Sequence, residues 1–407
     1  MRHPILAALL AAVVALPAPA VAQGFQTRAA SAIVVDHNTG QVLLSKNAQV
    51  PLPPASMSKL MTLNMVFEAL EDGRLALDTV LPVSEAAAAY GGSTMFLDPR
   101  DRVTVEDLIR GVVVLSGNDA TAVLAEALSP DGTERGFADM MTERARELGM
   151  MNSAFRNSNG WPEPGHVMSM EDLAILAGRL VREFPQYYTY FAETEFDFDG
   201  RSPANRFNRN PLLKLNIGAD GLKTGHTQEA GYGLVGSAAQ GDRRVNFVLS
   251  GIESEAARAD ESERLVNWAF RQFAEVDLFD GAAPAMQADV FMGEAATVPL
   301  RPAGRTTVLL PVTGRQPLKG TVAYDGPLEA PISAGTRVGE LTLEHPGMEP
   351  WVVPLVAAAD VPRAGPLRRI QIAGAEVAGR VLGEVMARFE GRDAPAPEAA
   401  PEPAADG

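Results

Sequence analysis

No cysteine occurs anywhere in the 407-residue sequence, which removes disulfide frameworks, thiolate nucleophiles and cysteine-built zinc sites together. Histidine is scarce too. His3, His37, His166, His226 and His345 are scattered, with none at HxH or HxxxH spacing, so no metal site is expected. Basic residues are outnumbered, 35 lysines and arginines against 51 aspartates and glutamates, for a formal net charge of -16. That balance offers no basic footprint for nucleic acid, and no nucleic-acid partner is expected. No run beyond the N-terminus reaches the ~18 apolar residues needed to span a bilayer. What remains is 46% hydrophobic, enough for a large core in a chain long enough for two domains.

The N-terminus reads as an export signal. Arg2 precedes an apolar run from Ile5 to Leu16, which Pro17 and Pro19 break, and Ala20-Val21-Ala22 supplies small residues for cleavage before Gln23. A signal peptide over 1–22 and an exported mature chain are therefore expected. "SAIVVD", a turn at "HNTG" and "QVLLS" form a predicted hairpin, and helical patterns dominate from Ala55 to Tyr190. A second strand pair follows at "YGLVGSAA" and "RVNFVLSGI", and the amphipathic "SERLVNWAFRQF" closes this part of the chain. Strands at both ends with helices between them predict an α/β (α+β) domain over 23–275, its antiparallel sheet built from distant segments. Short β-rich runs split by Gly and Pro predict a small all-β domain over 284–362. An amphipathic helix over 366–390 and a disordered acidic Pro/Ala tail over 391–407 complete the expected order.

"PPASMSKLMT" carries the first chemical clue. Ser56 and Lys59 are three apart at the start of a helix that is apolar almost all round, so their side chains share one face. Alone, Ser56 reads as an N-cap and Lys59 as a solvated charge, but a lysine in a first turn opposes the macrodipole. "VTVEDLIRGVVVLSGNDATAVLAEAL" is an apolar helix from about Val105 to Leu115, broken at Ser116-Gly117-Asn118 and then resumed. "ADGLKTGHT" places Lys223-Thr224-Gly225 just before the strand expected near Tyr232. Singly these are weak. In the order S-x-x-K, S-x-N, K-T-G they form the triple signature of serine acyl-enzymes.

With these motifs the chain resembles the low-molecular-mass penicillin-binding proteins, serine-type D-alanyl-D-alanine carboxypeptidases. The likeness is close from Ala30 to about Ala274, including "GGSTMFLDP" and "NRNPLL", and looser beyond. Two departures are visible: Arg100 stands where the family usually has glycine, and the loop Gly251 to Ser262, which bears on Arg258, is about one residue longer. The resemblance implies a β-lactamase/transpeptidase-like domain with an antiparallel sheet and helical cluster, followed by the β-rich domain and final helix. It implies removal of the terminal D-Ala from peptidoglycan stem peptides through a Ser56 acyl-enzyme, without a cofactor, and inhibition by β-lactams. Ser116 would relay a proton to the leaving amine, and Asn118 would hydrogen-bond the acyl donor. Lys223 and Thr224 would hold the terminal carboxylate side, and the strand after Gly225 the peptide backbone. The His226 N–H would complete the oxyanion hole with that of Ser56, and Arg209 and Arg258 match basic positions that are either substrate clamps or structural ion pairs. A periplasmic location follows, with peripheral inner-membrane contact through 366–390.

Elementary chemistry agrees. A serine hydroxyl needs a base, and Lys59 can serve if burial and a second cation, Lys223, keep it neutral. Three rivals remain at this level. A serine β-lactamase would need a placed carboxylate such as Glu163, Glu171 or Asp172. A D,D-endopeptidase differs only in the leaving amine, and an idle penicillin-recognising scaffold would be expected to have lost a motif residue.

Overall fold

The structure, a computed structural model, describes residues 25–374 apart from 202, 285 and 313–316. The expected signal peptide, the 391–407 tail and the final helix beyond residue 374 lie outside the described residues. Two compact units are present, one running to Val276 and including 308–318 and 344–349, the other made of 277–307, 319–343 and the chain from 350.

The first unit opens with the hairpin β1 (Ser31–Asp36) and β2 (Val42–Lys46), followed by the buried helix α1 (Lys59–Glu71). Gly73 at φ +72° sits two residues past α1, where a left-handed residue ends a helix. β3 (Val80–Pro82), α2 (Glu85–Ala88) and β4 (Arg102–Thr104) lead to α3 (Val105–Arg110) and α4 (Asn118–Leu128). Between these two helices Gly111–Leu115 form a π-helical turn. α5 (Glu134–Glu147), α6 (Met170–Glu183) and α7 (Pro185–Tyr188) complete the helical cluster. β5 (Ala219–Thr227), β6 (Gly231–Gln240), β7 (Arg243–Ile252) and α8 (Glu255–Arg271) then close the unit.

The five-stranded sheet has the order β2-β1-β7-β6-β5, antiparallel throughout. Alternation along its strands feeds two cores. Ile33, Val235 and Val248 join α1, α4 and α6 on one face, while Val34, Leu234, Phe247 and Leu249 meet Leu265 and Val266 of α8 on the other. Both faces are covered, so β7 reads as a near-continuous apolar run. α8 begins at Glu255, earlier than "SERLVN" indicates, because Ser254 caps it by accepting from Ala257 N.

The second unit is β-rich. Its six-stranded sheet runs, in spatial order, Lys319–Tyr324, Arg337–Glu344, Trp351–Ala357, Thr297–Pro302, Met286–Phe291 and Leu328–Glu329. Period-two burial at Leu341 and Leu343, and at Val353, Leu355 and Ala357, marks its inner face.

Candidate active site

The start of α1 differs from the simple helix that the sequence predicts. Ala55–Ser58 form a single 3-10 turn, with Ala55 at φ +49°, and α1 begins only at Lys59. No side chain caps this end, so Ser56 is not an N-cap. It is the one residue of Pro54–Leu60 that is not fully buried.

Lys59 is completely buried. Its Nζ donates to Asn118 Oδ1 at 2.7 Å and Asn159 O at 2.6 Å, and lies 2.9 Å from Ser56 Oγ. Burial, followed by the Arg209 guanidinium, holds its pKa well below the usual lysine value, while Asp119 and Glu134 pull the other way. Arg209 thus joins Lys223 as a cation acting on Lys59. Lys223 is itself buried and held well below its usual value by burial, then by Lys59, Arg209 and Arg258.

Ser116 occupies the break between two helices. It has φ +62° and ψ +35°, left-handed for a residue with a side chain, and it is buried with its Oγ unpartnered. Strain together with an unsatisfied hydroxyl is characteristic of functional positions. Asn118 bridges Lys59 and the preceding loop, since its Nδ2 donates to Gly91 O at 2.8 Å and its backbone N to Ser93 O at 2.7 Å. Asn118 Nδ2 has two hydrogens, so its bond to Gly91 O leaves a second donor for another acceptor.

Lys223-Thr224-Gly225 does not precede a strand, as the sequence indicates; it lies inside one. β5 carries the whole motif and is the sheet's edge, paired only with β6. Gly225 faces the Ser56 turn so closely that a Cβ there would stand 3.0 Å from both Pro54 O and Met57 Cγ. The side chain of His226 is exposed and stacks on Tyr232, its cross-strand partner, with ring centroids 3.9 Å apart. Arg258 approaches the Tyr232 ring at 5.8 Å and pairs with the exposed Glu255 at 3.2 Å. Arg209 has no ion pair among the described residues, and its Nη2 donates to Ser93 Oγ at 2.9 Å and Leu115 O at 2.5 Å.

Four residues escape sequence reasoning. Asn159 serves through its backbone carbonyl, which any residue has, so only the polar loop "NSNG" hints at it. Glu134 anchors that loop, accepting from Tyr90 Oη, Ser158 N and Asn159 Nδ2. Buried Asp119 accepts from Met95 N and Leu97 N, fixing the 91–97 loop beside Asn118. Gly160 is the steric key. At φ +84°, a Cβ there would fall 1.9 Å from Ala55 O, immediately before Ser56.

Two of the carboxylates of the β-lactamase reading are committed elsewhere, and the third is held by its neighbours. Asp172 accepts from Ser153 Oγ and Asn152 N, Glu171 lines a separate cavity with His37 and Arg182, and Glu163 is held by Asn157 Nδ2 and Arg135.

Comparison with known proteins agrees with this geometry. The family described as D-alanyl-D-alanine carboxypeptidase matches residues 17–253, and the penicillin-binding protein 5 C-terminal domain matches 273–363. The D-alanyl-D-alanine carboxypeptidase DacC of Escherichia coli is 35% identical, covering 83% of this chain and 85% of its own. Penicillin-binding protein 5 of Haemophilus influenzae superposes with a TM-score of 0.71 at 30% identity, covering 83% of this chain and 98% of that one. Penicillin-binding protein D2 of Listeria monocytogenes, solved in an ampicillin-bound form, covers 60% of this chain and 98% of its own at 30% identity and a TM-score of 0.54. A chain matched over most of its length on both sides, with a fold and motif order that agree, belongs to the D-alanyl-D-alanine carboxypeptidase family, the serine peptidases among the low-molecular-mass penicillin-binding proteins.

Proposed function

We propose that this carboxypeptidase removes the terminal D-Ala of peptidoglycan stem peptides through an ester on Ser56, with Lys59 as general base. The observation that carries the reading is a fully buried lysine whose Nζ lies 2.9 Å from Ser56 Oγ. A neutral amine has two N–H groups and one lone pair. Asn118 Oδ1 and Asn159 O take the two hydrogens, so the lone pair is left for the Ser56 hydroxyl.

Ser56 Oγ attacks the penultimate D-Ala carbonyl while its proton passes to Lys59 Nζ. Base assistance of this kind is worth roughly 10²–10⁴-fold. The backbone N–H groups of Ser56 and His226 receive the developing oxyanion, each such donor contributing on the order of 10²–10³. The C–N bond then breaks, and the departing amine takes its proton from Lys59 by way of the unpartnered Ser116 hydroxyl. Water hydrolyses the ester and restores Ser56. Lys223, Arg209 and Arg258 form the basic end of the site and, with the Thr224 hydroxyl, receive the terminal carboxylate. The free edge of β5 pairs with the peptide backbone. β-Lactams acylate the same serine, with a leaving group that stays tethered.

The mature chain is exported to the periplasm and contacts the outer face of the inner membrane through 366–390. Leu367 and Ile370, on the described part of that helix, are 81% and 70% exposed, which supports an unmet apolar partner there. Incubation with a pentapeptide ending in D-Ala–D-Ala tests the activity, and absence of released D-Ala would reject it.

A further inference from the structure

The cavity that Glu171 lines with His37 and Arg182 has a volume of about 320 Å³ and lies between α6 and the hairpin β1–β2. The catalytic motifs do not reach it, since Ser56, Lys59, Ser116 and Lys223 are all absent from its walls. We propose that it is a second binding site, for a short aliphatic dipeptide held as a zwitterion, its carboxylate at Arg182 and its ammonium at Glu171.

Gly178 is the anomaly. It sits in the interior of α6, where only proline is less favourable, and its φ is not left-handed. A Cβ there would meet nothing closer than Arg182 Nη2 and Asn246 Nδ2, both at 3.7 Å, and His37 Nδ1 at 3.9 Å. These are ordinary contact distances, so packing admits alanine and gives no reason for glycine. What the absent side chain leaves open is a point on which a guanidinium, an amide and an imidazole converge. A guanidinium with an amide N–H beside it is a donor set for a carboxylate.

These groups are short of partners. Arg182 makes no hydrogen bond or ion pair among the described residues, and neither does the Glu171 carboxylate. Asn246 is 2% exposed. Its Nδ2 gives one hydrogen to His37 Nδ1 at 3.0 Å, and its Oδ1 has no partner. The second Nδ2 hydrogen has no acceptor among the described residues, so a buried amide is left half-satisfied, as at a site that awaits a ligand. Burial, then Arg182 and Arg244, holds the His37 pKa below its usual value, so Nδ1 remains an acceptor near neutrality and orients that amide. Asp36, the other acid of the lining, is already occupied by Thr39 N and Arg243 Nε.

Spacing along α6 sets the length of the ligand. Glu171 and Arg182 are eleven residues apart, about 16 Å along the axis, and do not pair with each other. The guanidinium folds back to Gly178, two turns and about 10 Å from Glu171, whose side chain leans further away toward the N-terminus. A dipeptide of about 7 Å with a contact of about 3 Å at either end covers that gap, and a single amino acid falls short. Ala174 and Ile175 stand between the two charged ends on α6, and Ile33, Val35 and Val42 face them from the hairpin. The side chains carried between the charges are therefore aliphatic.

Calorimetric titration of the chain running from Gln23 to its end tests the site with L-Ala–L-Val, which has no D-alanine to release. The free dipeptide should bind, and capping it as the C-terminal amide or the N-acetyl derivative should weaken binding by roughly fivefold each, the scale of a partly exposed ion pair. Gly178→Ala should abolish binding while unfolding at the wild-type temperature or above it, because the methyl group occupies the carboxylate's place and alanine favours the helix. Arg182→Ala, at an exposed position, should erase the difference between the free dipeptide and its amide. Absence of binding to the wild type, or binding that survives in Gly178→Ala, overturns the site. A lower unfolding temperature for Gly178→Ala overturns it as well, since the glycine would then serve packing. An acetylated dipeptide that binds as tightly as the free one overturns the zwitterion.

Discussion

Lys59 Nζ stands 2.9 Å from Ser56 Oγ, while Asn118 Oδ1 and Asn159 O, at 2.7 and 2.6 Å, accept from it. This pair of side chains makes the serine testable as a nucleophile. Benzylpenicillin should add covalently to the wild-type protein, and Ser56→Ala should abolish the adduct. Intact mass spectrometry that finds acylated alanine variant would remove Ser56 from the mechanism.

Lys59→Arg should lower acylation by roughly 10²–10⁴-fold, because a guanidinium does not give up its proton near neutrality. In the wild type the acylation rate should rise with pH through the lowered Lys59 pKa and level off above it. A stopped-flow pH profile that is flat from pH 5 to 10 would contradict this. The same shift affects stability. The folded chain binds the Lys59 proton less well than the unfolded chain, whose lysine titrates near 10.4. Below the folded pKa the buried ammonium is therefore unfavourable, and the penalty is relieved as pH rises toward 10.4. The Tm difference between wild type and Lys59→Met should shift in favour of the wild type over that window.

Ser116→Gly should separate stability from activity. Glycine adopts φ +62° without the side-chain penalty and removes an unsatisfied buried hydroxyl. Unfolding should become harder by about 0.5–1 kcal/mol, while D-Ala release falls as the relay is lost. A variant that is both less stable and fully active would refute the strained-relay assignment.

Gly160→Ala should damage the site from outside it. Its methyl group would collide with Ala55 O and must displace the turn that holds Ser56. A displacement of about 1 Å is expected to cost on the order of 10²-fold in acylation. Acylation at wild-type rate would mean that the turn accommodates the methyl group.

A chain running from Gln23 to its end should sediment weakly with anionic liposomes, and one ending at Gly365 should stay in the supernatant while still releasing D-Ala. If the full-length chain stays in solution as well, the exposed Leu367 and Ile370 serve another purpose.

Where periodicity is strong, the sequence reads true. The hairpin at Ser31–Lys46, the all-round apolar α1 and the break at Ser116 all follow from residue spacing. β5 is different. In "ADGLKTGHT" only Leu222 is a large apolar residue: Asp220 is committed to Arg244 and Tyr188, and Lys223, Thr224 and Gly225 are the motif, so β-propensity is low. The Asn159 carbonyl is invisible for another reason, since backbone atoms carry no sequence signature. The partner of Lys59 also needed coordinates. Arg209 acts on Lys59 alongside Lys223, and nothing in the spacing of so distant a residue announces it.

The register of β1 has a consequence for how the protein is made. Val34 lies opposite Phe247, so the first strand of the catalytic unit is held by its last. No shorter N-terminal fragment can close that sheet, and the ordering cost of so distant a pairing must be met before any of its contacts are gained. Synthesis therefore delivers a chain that stays uncommitted until about Ile252 has emerged. The serine site, assembled from segments spread over that span, cannot exist before the strand Arg243–Ile252 is made.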